Sequence, residues 1–274
     1  MLRGVYLLDP ELAADPAPRI RWRAALLAHG RDVCLVAGTG ARALGVHGLA
    51  SDESVIELGH VAGMPRARRR EHTQPSQTWD MPDVVVRQIV VHPHDVVVVE
   101  GLPVSHPRHT VVDAALGLDR MAALAVMDSG LHLELLTPEE LAAAVLAAKG
   151  RPGIQQLRPL AALADGRAES PLESRIRLIC IDGRLPPDDL QYPVYDDGGV
   201  LVARGDLGWF RHRRRPLLAE ADGRVHALPT PVFRDRRRGN LLVPRQCDTV
   251  RFTWADSHRP PYVLYVVRNA LSVA

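Results

Sequence analysis

Val200-Leu201-Val202-Ala203-Arg204-Gly205-Asp206-Leu207-Gly208-Trp209, then Arg211-His212-Arg213-Arg214-Arg215, then Pro216-Leu217-Leu218-Ala219-Glu220-Ala221-Asp222-Gly223 is the stretch on which the reading of the C-terminal half turns. Two short apolar runs around a basic connector read as a β-hairpin. A hairpin symmetric about residue 213 sets Asp206 opposite Glu220. Side chains two apart on a strand share a face, so Asp222 joins them. Opposed carboxylates repel and weaken a sheet. A divalent cation turns that repulsion into binding: Mg²⁺ takes carboxylate oxygens and activates water for phosphodiester hydrolysis. The same three charges also fit the solvated face of a hairpin, and their spacing alone leaves both readings open.

The chain has 274 residues, enough for one large domain or two ordinary ones. At 46% hydrophobic and 24% charged it reads as globular rather than disordered. No apolar run approaches the roughly 20 residues that span a bilayer. The start, Met1-Leu2-Arg3-Gly4-Val5-Tyr6, lacks a secretory pattern, so a cytoplasmic location is expected. Cys34, Cys180 and Cys247 are far apart and form no CxxC, which argues against a zinc ribbon or a disulfide framework. They read as ordinary buried thiols. Lys149 is the only lysine, and this arginine bias weakens the link between arginine content and nucleic acid. The distribution says more. Residues 167–274 hold 18 arginines against 13 acidic residues, a net of +5, while the remainder carries −3. A basic C-terminal half holding a carboxylate cluster suits a polyanionic partner.

Along the chain the pattern changes twice. Residues 1–104 read as an α+β unit, with a helix over Pro18–His29 and β-branched runs at Ser54–Leu58, Val84–Val91 and Asp95–Val99. Residues 105–166 read as a helical segment. Ser105 is placed to cap its first helix, with Pro107 in the first turn, and Thr137-Pro138-Glu139-Glu140 opens another as a capping box. Residues 167–274 read as a third region, opening at Ser170-Pro171-Leu172-Glu173. Its order is helix, two strands, a third strand or loop, an Arg-rich helix near Phe233–Leu242, a strand over Asp248–Thr253 and a final helix. The expected class is α/β, with an α+β N-terminal part.

Ser170-Pro171-Leu172-Glu173-Ser174-Arg175-Ile176-Arg177, Asp206-Leu207-Gly208-Trp209, Glu220-Ala221-Asp222-Gly223 with His226, Asp235-Arg236-Arg237-Arg238-Gly239-Asn240 and Val250-Arg251-Phe252-Thr253-Trp254 follow in order. As a set they resemble the uncharacterised domain family related to very-short-patch-repair (Vsr) endonucleases, of the PD-(D/E)xK nuclease-like fold. The resemblance covers about residues 168–271. It implies a restriction-endonuclease-like mixed sheet flanked by helices. It also implies a Mg²⁺ (or Mn²⁺) site at Asp206 and Glu220, with Glu173 and Asp222 beside it. The family's usual lysine position is Asp222, and Ala221 stands where an aromatic residue is common. His226 then becomes the expected general base or phosphate contact. Arg234, Arg237 and Arg238 are the expected nucleic-acid contacts, and the arginines of 211–215 are weaker ones.

Arg3-Gly4-Val5-Tyr6, Glu100-Gly101-Leu102-Pro103-Val104 and Thr110-Val111-Val112-Asp113 resemble AbiEi-type antitoxins and related transcriptional regulators. In that family the first of these segments lies in the wing of a winged helix. The chain begins at that wing, so a recognition helix is not expected within it. Lesser motifs carry less. Gly38-Thr39-Gly40 with Glu57 mimics a dinucleotide fingerprint without a βαβ continuation. Arg66–Arg70 reads as a solvated loop. Ser105, His109 and Asp113 lack a nucleophile elbow and are not read as a triad. Two functions follow. One is metal-dependent DNA cleavage. The other is a non-catalytic antitoxin or transcriptional regulator, using the nuclease fold to hold DNA, a cognate toxin or a second copy. Neither involves a membrane.

Overall fold

The computed structural model describes residues 17–50, 54–62, 83–196, 198–212, 214–223 and 247–272. Contacts divide the chain into two units, Met1–Ala164 and Asp165–Ala274. Both sheets are mixed and flanked by helices, which makes the class α/β.

In the first unit a five-stranded sheet has the order β3-β2-β1-β5-β4. Its strands are β1 (Val33–Leu35), β2 (Val55–Val61), β3 (Asp83–Val91), β4 (Val96–Val99) and β5 (Leu102–Ser105). The Val-rich runs become strands because β-branched side chains fit a pleated, half-buried surface. Helix α1 (Pro18–His29) lays Trp22, Ala25 and Leu26 on Val33, Leu35, Ile56, Leu58 and Val104. Cys34, Val36, Val61 and Val91 form a second apolar cluster. Helix α2 (Ala37–Ala43) packs on α3 (Pro107–Ala115), and α3 packs on α4 (Arg120–His132) and α5 (Pro138–Ala147). Both α4 and α5 lie against α6 (Ile154–Ala161). Thr137 and Glu140 form the reciprocal capping box expected of α5. The cap of α3 differs from expectation. Ser105 is the last residue of β5, and the imidazole of His106 accepts the Arg108 N–H in its place. The Ser105 hydroxyl instead lies 2.5 Å from that of Thr110.

The second unit opens with α7 (Pro171–Asp182), capped by the Ser170 hydroxyl. Its four-stranded sheet has the order β6-β7-β8-β9, from β6 (Asp189–Tyr195), β7 (Leu201–Trp209), β8 (Leu217–Ala221) and β9 (Asp248–Phe252). The first three form an antiparallel meander, and β9 joins β8 in parallel. Helices α8 (Trp254–Ser257) and α9 (Pro260–Ser272) follow β9, and both pack on α7. Leu172, Ile176, Cys180, Leu217, Ala219, Phe252, Val263 and Val267 are buried in this unit. Trp209 is buried as well, and its indole N–H donates to the Leu185 carbonyl at 3.1 Å. Gly208 lets the Tyr192 ring lie across the strand, where a Cβ would collide with it. None of the three cysteines is in a disulfide, and all three are buried. Among the described residues no helix is long and apolar enough to cross a membrane.

Candidate functional site

Leu207 pairs with Ala219, Gly208 with Leu218 and Trp209 with Leu217. The hairpin is therefore centred on residue 213, and the same register sets Asp206 opposite Glu220. Asp206 is half-buried, and its carboxylate accepts the Ala221 N–H at 2.7 Å. Burial raises its pKa, the Ala221 N–H opposes that rise, and the Glu220 charge adds to it. Glu220 accepts the Nε–H of Arg251, its neighbour on β9, at 2.8 Å. Asp222 is exposed and lies just past the end of β8, where its N–H donates to the Phe252 carbonyl at 2.8 Å.

Glu173 arrives from the first turn of α7. Only 5% exposed, it accepts the Glu169 N–H at 2.9 Å and the Gln191 side-chain amide at 2.8 Å. Burial, with the Asp206 carboxylate next in weight, pushes its pKa up to about 7. Glu169 pairs with Arg204 at 2.6 Å. The structure therefore brings Glu173, Asp206 and Glu220 into one electrostatic neighbourhood. It also adds Glu169 and Gln191, which the sequence reading missed. Gln191 lies in β6 between the pairs Leu190–Leu207 and Tyr192–Gly205, at a φ of 50°. A left-handed backbone is uncommon for glutamine, and nothing in the local sequence announces it. The Ser-Pro start of the next helix was the one available signal for Glu169.

Among the described residues no group of three or more His, Cys, Asp or Glu side chains is arranged to hold a metal ion. Glu220 is engaged by Arg251, and Glu173 by two N–H donors. As they stand, the described carboxylates do not form a set that fits Mg²⁺. His226, Arg234, Arg237 and Arg238 lie outside the described residues, as do the Arg-rich helix, Arg66–Arg70 and the wing segment at residues 3–6.

The first unit holds a second polar network. Asp95, 6% exposed, pairs with Arg108 and lies 3.5 Å from His94 Nε2 and 3.6 Å from His109 Nε2. Burial raises its pKa, but His109 and Arg108 outweigh that and leave it below the usual carboxylate range. Asp113 pairs with Arg151, and burial leaves its pKa raised. Ser105, His109 and Asp113 thus turn to three different partners. Glu57 accepts the Gly38 N–H at 2.8 Å and pairs with Arg87 at 2.7 Å. The fingerprint-like glycines therefore present their helix start to an internal carboxylate, not to a phosphate.

Two uncharacterized proteins of Mycobacterium tuberculosis, from two of its strains, are each 38% identical to this chain over 161 residues. The match covers 56% of this chain and 58% of each relative, so the chain spans little more than half the length of these curated relatives. No solved structure matches. A family model, the AbiEi antitoxin C-terminal domain, matches residues 36–163. The match ends before the second unit and lends no support to the endonuclease resemblance of residues 168–271. Over residues 36–163, which carry the Asp95, Asp113 and Glu57 networks, the chain is similar to the AbiEi antitoxin C-terminal domain family.

Proposed function

We propose that this chain is a non-catalytic, antitoxin-like regulator. The first unit holds a cognate toxin, and the second contacts nucleic acid. The observation that carries the reading is the family match over residues 36–163, which falls wholly within the first unit. The net charge of +5 over residues 167–274 supports the nucleic-acid role of the second. Co-expression tests the first part. The product of the reading frame adjoining this gene is expected to arrest growth alone and to be neutralised when this chain is made with it. A harmless neighbour, or a toxic one this chain cannot neutralise, rejects the reading.

A second reading, Mg²⁺- or Mn²⁺-dependent DNA hydrolysis, draws on the raised pKa values of Glu173 and Asp206, since perturbed carboxyls gather at catalytic sites. Structural clusters perturb pKa values too, and the described donors do not fit the ion, so no catalytic step is assigned. Calorimetric titration of Mg²⁺ and Mn²⁺ into the protein and its Asp206→Ala variant, with plasmid nicking on the same samples, separates the two. Binding and nicking that vanish together in the variant favour hydrolysis. The regulator reading expects neither in either protein.

A further inference from the structure

The turn between β7 and β8 is built more firmly than a solvated basic loop requires. Arg211 is only 9% exposed at its side chain. Its Nε donates to the Arg215 carbonyl at 2.6 Å and its Nη1 to the Ala270 carbonyl at 3.0 Å, in the last turn of α9. Its Nη2 pairs with Asp248 at the start of β9. A guanidinium beside a helix C-terminus is favoured by the helix dipole as well. On the other limb, Asp188 accepts the Phe210 N–H at 2.7 Å. The turn is thereby fixed at both limbs.

What faces outward is mainly basic and aromatic, with Asp188 and Asp248 at the base of the turn. Phe210 is 67% exposed, and His212, Arg214 and Arg215 are exposed beside it. Residues 210–216 contain no acidic side chain. The neighbouring strands stop at the base of the turn, since β6 begins at Asp189 opposite Gly208 and β9 at Asp248 opposite Leu217. Phe210 lies four residues beyond Asp206 along the chain, roughly 13 Å from the Asp206 and Glu220 carboxylates.

We propose that Phe210, Arg214 and Arg215 form a binding tip for a single nucleic-acid strand, Phe210 stacking on an unpaired base and the two arginines holding the flanking phosphates. Aromatic side chains interleaved with cations bind single strands without sequence preference, because every base presents a π-face. One exposed phenylalanine is too little apolar surface to anchor a membrane-bound tip, which argues against a lipid occupant. The inference rests on the nucleic-acid part of the proposed function and is independent of the toxin part.

The test is fluorescence anisotropy of a labelled oligothymidylate of about 16 nucleotides, titrated with the full chain across a salt series. Arg214→Ala/Arg215→Ala is expected to weaken the salt dependence, lowering the slope of log K against log salt by about 1.4 in magnitude. Arg214→Lys/Arg215→Lys is expected to keep it. Phe210→Ala is expected to weaken binding roughly 5- to 100-fold at an unchanged slope, with Phe210→Trp restoring it. Unaltered hydrogen-exchange protection over residues 201–221 shows that each variant keeps the hairpin. Binding with an unmoved slope in the double alanine variant rejects the tip alone. Equal affinity for duplex, with Phe210→Ala neutral, rejects the stacking. Capture by phosphatidylserine vesicles without oligonucleotide binding rejects the occupant. A wild-type chain that binds no oligonucleotide rejects the nucleic-acid part of the proposed function as well.

Discussion

Replacing Glu173 by glutamine removes an ionisation that the fold resists. The carboxyl of Glu173 moves from 4.5 to about 7 on folding, first because it is buried and then because Asp206 lies near it. Below pH 4.5 it is protonated in both states and costs nothing. Between 4.5 and about 7 the unfolded chain releases the proton while the folded one keeps it, so stability falls as pH rises. Above about 7 the folded form ionises too, and the whole penalty is present. At 1.36 kcal/mol per pKa unit the penalty is about 3 kcal/mol. Glutamine keeps an acceptor oxygen for the Glu169 N–H and the Gln191 amide. Its extra N–H₂ group shifts stability by an amount independent of pH. The gap between Glu173→Gln and wild type is therefore expected to widen by about 3 kcal/mol from pH 4 to pH 8 in favour of the variant. Denaturant titrations at several pH values, read by hydrogen exchange in peptides spanning 201–221, report on the second unit alone. Stability curves that stay parallel across that range would falsify the assignment of a raised pKa to Glu173.

In the first unit, Arg108→Ala leaves the Asp95 carboxylate buried without its guanidinium. Breaking a buried pair costs about 3–5 kcal/mol, and the partial exposure of Arg108 brings the expected loss nearer 2. A double-mutant cycle with Asp95→Asn should recover part of it, and purely additive losses would count against the pairing. Because the folded Asp95 pKa is depressed, its contribution is present above the ordinary carboxylate pKa and is lost as pH falls through the folded value; equilibrium unfolding between neutral and acid pH reads this directly. Gly208→Ala drives a methyl group into the Tyr192 ring and is expected to cost about 1–3 kcal/mol, seen as a lower denaturation midpoint at unchanged slope. Trp209→Phe removes the donor to the Leu185 carbonyl and part of a buried ring. A loss of about 1–3 kcal/mol is expected, and a neutral result would mean that this bond contributes nothing.

The hairpin was legible because its two apolar runs and its five-residue connector share one centre. Once the turn was placed, period-2 geometry dictated the rest. The helix starts at Ser170 and Thr137 were legible for a similar reason, since a hydroxyl cap followed by proline is a local signal. Ser105 misled because that same signal sat at the end of a strand, where β5 claimed it and left His106 at the cap. The sequence reading treated the turn arginines as one group, weaker phosphate contacts than Arg234, Arg237 and Arg238. Composition cannot tell Arg211, folded inward against Ala270 and Asp248, from Arg214 and Arg215, which face out. That distinction depends on where α9 ends, 59 residues later in the chain. Gln191 was illegible for a different reason. Its left-handed backbone sits at an unpaired position of β6, which none of its neighbours in sequence marks.

The sequence argument for a cation rested on one premise: a sheet does not set carboxylates against each other unless something external relieves the repulsion. The structure leaves Asp222 exposed past the end of β8 and supplies internal relief for the other acids. Arg251 pairs with Glu220 from the adjacent strand, in the register that places it opposite. Arg204 pairs with Glu169. The Ala221 N–H satisfies one Asp206 oxygen, and Glu173 reduces the total charge by holding its proton up to about pH 7. Two ion pairs, one backbone donor and one retained proton are enough to let the acids coexist, so their proximity alone no longer requires a metal. What remains informative is the cost. A protein that keeps a buried glutamate at a penalty of about 3 kcal/mol above neutrality retains it for a reason that packing does not provide, since a glutamine there would accept the same two N–H bonds. If Glu173→Gln gains stability at pH 8 and also loses oligonucleotide or toxin binding, the charge serves the interaction. If it gains stability and loses neither, the acid cluster has no part in the regulator reading, and the turn and the first unit must carry that function without it.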